Sequence, residues 1–338
     1  SPSVNNTGDE TLSAAQVPVL DLAAYLAGEP GALETLGREL YAACTGIGFF
    51  YIRNHGVPDD LIRRTFDQIA RFHALPLDDK MRLKIDNGNI GYLPMGTSTI
   101  TSSTVATANT PSQNAAFFIK NELPPDHPGL LAGHRFKGPN QWPDNLPGFR
   151  DTLLEYVDAQ LALALKLLPI YATALDLPAQ YFNDHPGFRD PGIRVRMLHY
   201  PPQPDRKPNV FGAGPHTDYG FFTILPQSDV DGLEIMAGPD DWVRAPMMPG
   251  HFLINTADMC MRMTNGLFGS TPHRAVNEST SERYSVPLFF SPDADVVMET
   301  LNSCIGPDNP PQYEDMSYGD YFKSRIEKNY DHQQKGAA

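Results

Sequence analysis

The sequence predicts an α+β protein, and three observations support this prediction. The N-terminal half contains segments with the apolar spacing of amphipathic helices, whereas the part after Gly192 consists of short β-type runs separated by turn residues. The 338 residues include 27 Gly and 32 Pro, more than average usage, which indicates many turns. With 41% hydrophobic residues, the chain can bury a large core, and this excludes a wholly disordered protein.

Charge and cysteine content exclude some classes of function. The 40 acidic and 26 basic side chains give a net charge of −14, which argues against nucleic-acid or membrane-surface partners. Cys44, Cys260 and Cys304 are far apart in the sequence and form neither a disulfide framework nor a CxxC site, so we expect a cytoplasmic location. No apolar run approaches the roughly 18 residues of a membrane helix. The oligomeric state is open, with a monomer or weak dimer expected.

The N-terminal elements are expected to begin after a polar leader, residues 1–16, that has no signal-peptide pattern and is predicted to be disordered. Apolar spacing and breaker residues then mark the elements. In order, these are an edge strand over 17–22, a helix over 31–45, a strand over 48–52, and one or two helices over 58–83 with an interruption at Pro76.

The middle of the chain contains a Ser/Thr-rich segment, 97–112, in which ten of sixteen residues are Ser or Thr. It is predicted to be either an exposed loop or a lid over a pocket. A strand is expected over 114–120. The clearest helix follows over 149–177, and Pro169 is expected to kink or break it.

The C-terminal part has the pattern of an antiparallel sandwich or barrel. Its predicted strands are 193–200, 217–225, 231–236, 251–255, 273–277 and 283–290.

Candidate metal ligands occur in the segment 214–225. Residues two apart in a strand point to the same face, so His216 and Asp218 would converge, with Phe222 and Ile224 continuing that face into the core. A lone His-x-Asp pair is common on surface strands. However, His273, fifty-five residues after Asp218, again at the start of a strand, supplies a second imidazole. Two histidines and one carboxylate form the facial triad of non-haem Fe(II) oxygenases.

A candidate anion site follows ten residues after His273. Alternation places Arg283 and Ser285 on one face of a strand. A guanidinium can hold a carboxylate through two hydrogen bonds, and a hydroxyl can add a third. Tyr200, at the end of another predicted strand, could present a further hydroxyl to the same group.

Taken in this order, these motifs resemble those of the isopenicillin N synthase-like family of Fe(II)/2-oxoglutarate-dependent dioxygenases. Segments 18–22, 48–57, 91–92 and 198–202 are also similar to that family, so the likeness runs from Val17 to about Tyr330. It implies a double-stranded β-helix (jelly roll) core flanked by helices. It further implies that His216, Asp218 and His273 bind Fe(II), and that 2-oxoglutarate is bound by Arg283 and Ser285 with help from Tyr200.

The resemblance implies an oxygenase that acts on a small organic substrate of the secondary-metabolite kind. With Fe(II), 2-oxoglutarate and O2, a ferryl species would abstract a substrate hydrogen, and succinate and CO2 would be released. Side chains expected near the substrate are Tyr92, Phe117, Ile119 and Phe289, although a residue of this kind is more often plain core than a substrate contact.

The expected organisation is one compact unit with three parts. An N-terminal dioxygenase region over 17–120 is followed by a helical connector and scaffold helix over 121–190. The jelly-roll catalytic region over 191–330 comes next, and 331–338 form a tail.

Two other functions remain open at this point. One is an oxidase of the isopenicillin N synthase or aminocyclopropane carboxylate oxidase kind, which uses no 2-oxoglutarate and grips a substrate carboxylate with the Arg-x-Ser pair. The other is a non-catalytic jelly-roll binding protein.

Overall fold

The computed structural model describes residues 17–96, 113–205 and 211–329. The predicted leader 1–16, the Ser/Thr-rich segment 97–112 and the tail 331–338 therefore lie outside the described residues. Whether 97–112 is a lid stays a prediction.

The helices of the described residues lie mainly between Ala23 and Ala174, as the apolar spacing predicts. None of them is both long enough and apolar enough to cross a membrane. They are α1 (Ala23–Leu26), α2 (Ala32–Thr45), α3 (Asp59–His73), α4 (Leu77–Met81), α5 (Pro128–Leu131), α6 (Phe149–Ala174), α7 (Tyr181–Asp184), α8 (Asp258–Met263) and α9 (Tyr318–Asn329), with 3-10 turns at Pro186–Phe188 and Asn302–Cys304.

The strands are short and most follow Gly192. They are β1 (Val19–Asp21), β2 (Phe49–Arg53), β3 (Gly91–Leu93), β4 (Ala115–Lys120), β5 (Gly192–Tyr200), β6 (Ala213–His216), β7 (Phe222–Pro226), β8 (Leu233–Gly238), β9 (Asp241–Arg244), β10 (Phe252–Thr256), β11 (His273–Ala275), β12 (Arg283–Ser285), β13 (Leu288–Ser291), β14 (Val297–Met298) and β15 (Met316–Ser317).

Two sheets form the core of the fold. The main sheet has nine strands in the order β1-β2-β10-β7-β13-β5-β4-β3, with β12 also paired to β5, and the minor sheet has the order β6-β11-β8-β9. β14 and β15 pair separately. Strands from before and after the long helix α6 thus share the main sheet. The two sheets, with helices packed outside, are the double-stranded β-helix predicted from the resemblance, and the α+β prediction is confirmed.

The alternation of side chains along each strand divides the main sheet into two faces. On β4 and β5, Phe117 and Val195 pack among the helices in the large apolar core, where Phe117 lies 4.3 Å from Phe72 of α3 between ring centroids. Phe118 and Leu198 point to the other face, toward the minor sheet. That inner face is the surface on which a site can be built.

One predicted strand, 217–225, does not form as a single element. β6 ends at His216 in the minor sheet, and β7 begins at Phe222 in the main sheet. Because the chain crosses between sheets in this interval, the strand phase is not carried across. Phe222 and Ile224 therefore face the helical core, and the prediction that they continue the face of Asp218 is wrong.

The helix α6 continues through Pro169 to Ala174. The helix is therefore not broken there, and the alternative, a kink at Pro169, stays a prediction. Proline lacks the N–H that would bond the carbonyl four residues earlier, in this case that of Leu165. The side chain of Asn183, just beyond in α7, donates its Nδ2 to this carbonyl at 3.0 Å. A residue from a neighbouring helix thus replaces the missing backbone donor.

We expect Asn183→Leu to lower the free energy of unfolding by about 1 kcal/mol, because the Leu165 carbonyl loses its donor. In a Pro169→Ala background the cost should shrink, since alanine restores a backbone N–H at that position. Urea unfolding of the four proteins measures this cycle. The control is Asn302→Leu, at an exposed asparagine whose side chain makes no hydrogen bond within the described residues. An equal cost in both backgrounds would contradict the explanation.

Candidate active site

The two histidines of the predicted triad are cross-strand partners in the minor sheet. His216 ends β6, His273 begins β11, and the register pairs them directly. Their ring centroids are 4.4 Å apart. Each Nδ1 lies against a carbonyl oxygen two residues earlier, that of Gly214 at 2.7 Å and that of Thr271 at 3.1 Å. With Nδ1 donating to the backbone, each Nε2 is left to bind a metal.

Asp218 lies in the loop between the two sheets and is 6% exposed. Its Oδ2 accepts hydrogen bonds from Thr223 Oγ1 at 2.6 Å and from Asn255 Nδ2 at 2.9 Å. Its Oδ1 lies 3.6 Å from Nε2 of His216 and 3.3 Å from Nε2 of His273. The prediction that His216 and Asp218 share one strand is wrong, but the predicted convergence of their side chains occurs.

Burial and mutual charge determine the ionisation of these three groups. Burial, helped by the neighbouring His273, lowers the pKa of His216 to about 4. Burial alone would raise the pKa of Asp218, but the two imidazoles and Asn255 hold it below its usual value. Burial opposes protonation of His273, yet the Asp218 charge outweighs it and raises that pKa. One carboxylate and two imidazoles, with one ligand atom each and all within 4.8 Å of one another, suit Fe(II).

Asp258 connects the segments that carry the three groups. Its carboxylate accepts from Thr217 Oγ1 at 3.2 Å, from Ser270 Oγ at 2.6 Å and from the Tyr321 hydroxyl at 2.5 Å. Its backbone N–H donates to the carbonyl oxygen of Asp218 at 2.9 Å. Asp258 therefore links three segments: the residue before Asp218, the loop before His273 and the helix α9.

Arg283 and Ser285 lie on the inner face of β12, opposite Tyr200 and Leu198 of β5. Arg283 is 5% exposed, its carbon Cζ lies 4.6 Å from the centre of the Tyr200 ring, and within the described residues its Nε and Nη1 make no hydrogen bond. Buried guanidinium donors without an acceptor are costly. This position therefore suits the carboxylate of a bound anion.

Two glycines allow the backbone to approach this anion position closely. A Cβ at Gly212 would lie 2.6 Å from the Tyr200 ring, and one at Gly232 would lie 2.9 Å from Nε of Arg283. Larger residues at either position would displace the groups that face the anion.

One cavity contains the triad and the Arg-Ser pair. It encloses about 530 Å³, part of it open to solvent. Phe289, as predicted, is in its wall, together with Phe49 and Arg196.

The other predicted substrate contacts do not reach this cavity. Phe117 and Ile119 lie on the helix-facing side of β4, and Tyr92 packs 6.0 Å from Phe72, between ring centroids, in the same apolar core. Phe117 and Ile119 are expected on the cavity side of β4, but the structure places them on the opposite side of the strand. On β4 it is instead Ala116 and Phe118 that point to the inner face of the sheet.

Sequence reasoning missed several side chains of the site. Thr223 and Asn255 fix Asp218, and Arg196 lines the cavity. Asn255 lies three residues before Asp258 in a short polar stretch between two apolar runs, which was a usable signal. Thr223 and Arg196 occur within ordinary strand sequence and gave none.

Family models match both the N-terminal and the C-terminal part of the chain. Residues 17–145 match the family model described as non-haem dioxygenase in morphine synthesis N-terminal, and residues 190–292 match the 2OG-Fe(II) oxygenase superfamily. The chain is 34% identical over 321 residues to a 2-oxoglutarate-Fe(II) type oxidoreductase of Emericella nidulans, covering 93% of this chain and 90% of that protein.

Two further similarities extend over most of the chain. Kihadalactone A synthase of Citrus sinensis is 34% identical over 325 residues, with 94% of each chain covered. The crystal structure of a 2OG-Fe(II) oxygenase family protein from Caulobacter crescentus superimposes with a TM-score of 0.79 at 27% identity, covering 92% of this chain and 98% of that one.

We expect Thr223→Val to weaken binding of Fe(II) or Mn(II) about tenfold, because the Asp218 carboxylate loses one of the two bonds that orient it. Anaerobic metal titration measures this effect. Thr35→Val, the same change on an exposed turn of α2, should leave the affinity unchanged. Equal metal affinity of the Thr223 variant and the wild type would contradict the role given to this hydroxyl.

Proposed function

This chain belongs to the 2OG-Fe(II) oxygenase superfamily, and from that premise we propose that His216, Asp218 and His273 hold its Fe(II). It is an Fe(II)/2-oxoglutarate-dependent dioxygenase that oxidises a small organic substrate with O2 and forms succinate and CO2. The observation that supports the ligand assignment is the convergence of two Nε2 atoms and one carboxylate oxygen within 4.8 Å of one another.

The cosubstrate is assigned to the other end of the cavity. We infer that Arg283 holds the distal carboxylate of 2-oxoglutarate, with the hydroxyls of Ser285 and Tyr200 beside it. The guanidinium is buried and its Nε and Nη1 make no hydrogen bond within the described residues, which supports this role. The 2-oxoacid end then extends toward the metal ligands.

Each part of the site has a separate task in the reaction. Bound Fe(II) supplies the activation of O2 and the oxidation of a C–H bond. His216, Asp218 and His273 would hold the metal, and with only three protein ligands it could also bind the cosubstrate and O2. Phe289 and Arg196 border the remaining space, where they orient the substrate.

The substrate class is a proposal of its own. An aromatic wall with a guanidinium beside it suits a small to medium, partly apolar molecule of the secondary-metabolite kind. We also propose that the protein is cytoplasmic and that it is a monomer or a weak dimer. The three cysteines are free thiols, in keeping with a reducing compartment.

The experiment that tests the function is measurement of O2 uptake and succinate formation with Fe(II), 2-oxoglutarate and candidate substrates. We expect succinate in step with O2 consumption, and loss of both in His216→Ala because the metal loses a ligand. Oxygen consumption without succinate would show an oxidase that does not use 2-oxoglutarate, and wild-type activity in the variant would exclude the metal assignment.

For Arg283→Leu we expect the KM for 2-oxoglutarate to rise at least about 30-fold, equivalent to roughly 2 kcal/mol, while Fe(II) affinity stays the same. Arg283→Lys should have an intermediate effect, since an ammonium keeps the charge but not the two-pronged geometry. Arg38→Leu, on the exposed surface of α2, is the control. An unchanged KM in the Leu variant would refute the assignment.

A further inference from the structure

A second cleft lies on the same inner sheet face as the metal cavity, at the opposite end of β5. It encloses about 640 Å³, part of it open to solvent, which is within the usual size range of ligand sites. Arg194 lines this cleft, while Arg196, two residues along the same face, lines the metal cavity. The two sites are therefore neighbours but have different walls.

Lys120, the last residue of β4, lies in the wall of this cleft directly opposite Arg194. It is only 7% exposed. Its backbone groups bond Asn140, but among the residues that the structure describes its Nζ has neither a hydrogen-bond acceptor nor an ion-pair partner. An ammonium that is largely removed from water and has no direct ion-pair partner is costly.

The second lysine of the cleft, Lys137, has a different environment. Its Nζ lies 3.5 Å from a carboxylate oxygen of Asp190 and 3.3 Å from one of Asp293. The positive charge of Lys137 is thus compensated within the protein. Arg194 is also engaged, since it donates to the carbonyl oxygen of Asn89 at 3.2 Å and its Cζ lies 3.9 Å from the centre of the Phe118 ring.

The charge of Lys120 is sensitive to what occupies the cleft. Burial lowers the pKa of Lys120 to about 8, and Lys137 adds to this effect, whereas Glu122 and Asp190 oppose it. At pH 7 the ammonium form still predominates. An anion placed beside it would raise this pKa and remove the penalty of the unpaired charge.

The rest of the wall determines which anion is suitable. It is mostly apolar, with Ile90, Leu123, Ile193, Phe136 and Phe322 among its residues. The ring centroids of Phe136 and Phe322 are 5.2 Å apart. One cation without a direct ion-pair partner, beside an apolar surface, matches a single carboxylate on an apolar body better than a multiply charged phosphate.

We propose that this cleft binds an amphipathic monocarboxylate, with its carboxylate on Lys120 and its apolar part against Phe136 and Phe322. The carboxylate belongs either to the substrate, held at a point remote from the oxidised carbon, or to a second molecule bound beside the active site. Only the first source rests on the proposed function.

The test uses sodium octanoate, with 1-octanol as the uncharged probe, in calorimetric titrations of the full chain without metal. We expect octanoate, but not octanol, to bind at a concentration below about 10 mM. Lys120→Met should weaken octanoate binding at least about tenfold, and Lys120→Arg should retain it. Lys166→Met removes an exposed lysine of α6 and should bind octanoate like the wild type.

Two further measurements make the result specific to this cleft. Within the described part of the chain, the only atom within 4 Å of a Cβ at Gly192 is the carbonyl oxygen of Pro292, at 3.9 Å. Gly192→Val should therefore fit and partly fill the cleft, and it should weaken octanoate binding without a charge change. Between pH 7 and pH 9 binding should weaken in the wild type, as Lys120 loses its proton, but not in Lys120→Arg. The melting temperature of Lys120→Met, expected to be unchanged or raised, verifies folding.

The proposal is overturned if octanoate fails to bind the wild type at about 10 mM, or if it binds Lys120→Met or Gly192→Val as tightly as the wild type. None of these outcomes depends on turnover, so they leave the oxygenase function untouched.

The two possible sources of the carboxylate are distinguished by the line broadening of octanoate signals when Mn(II) is bound to the protein. Stronger broadening of the octanoate methyl signal than of its α-protons indicates a chain directed to the metal, hence a substrate. Uniformly weak broadening indicates a second molecule.

Discussion

The active site depends on a buried carboxylate whose two oxygens have different tasks. Oδ2 of Asp218 is held by Thr223 and Asn255, both on main-sheet strands. Oδ1 is thereby directed at two imidazoles that belong to the minor sheet. A charge this deeply buried is tolerated only when it is fully engaged. The hydrogen bonds that satisfy it therefore also fix the position of one sheet relative to the other at the two histidines and the aspartate.

The alternation of side chains along the main-sheet strands separates residues that stabilise the fold from residues that line the two cavities. One face of β4, β5, β7 and β13 supplies the apolar core that packs on α3 and α6. The opposite face carries Thr223, Arg196, Arg283 and Lys120, which are polar groups that a core would reject. Because neighbouring residues of a strand point in opposite directions, a one-residue change of phase would exchange the two. Substitutions on the helix-facing side should act on folding, and those on the inner side on binding.

The fold class and the convergence of His216, Asp218 and His273 could be predicted from the sequence, because their signals are local or follow a known order of motifs. The His-x-Asp pair, the distal histidine and the Arg-x-Ser pair are examples. Phase within strands was less predictable, since it depends on where a strand begins. Phe117 and Phe222 were placed on the wrong face for this reason.

Groups that meet only through tertiary structure left no sequence signal. Thr223 reaches Asp218 across a sheet crossing, and Lys120 faces Arg194 from an adjacent strand some seventy residues away. Asn183 replaces a backbone donor at Pro169 from another helix.

The attachment of α9 to Asp258 has a consequence for engineering. Tyr318 and Phe322 of this helix border the second cleft and can be varied to alter ligand choice. Tyr321 donates to Asp258, which bonds the residues next to Asp218 and before His273, so libraries or chimaeras that exchange α9 should retain its hydroxyl.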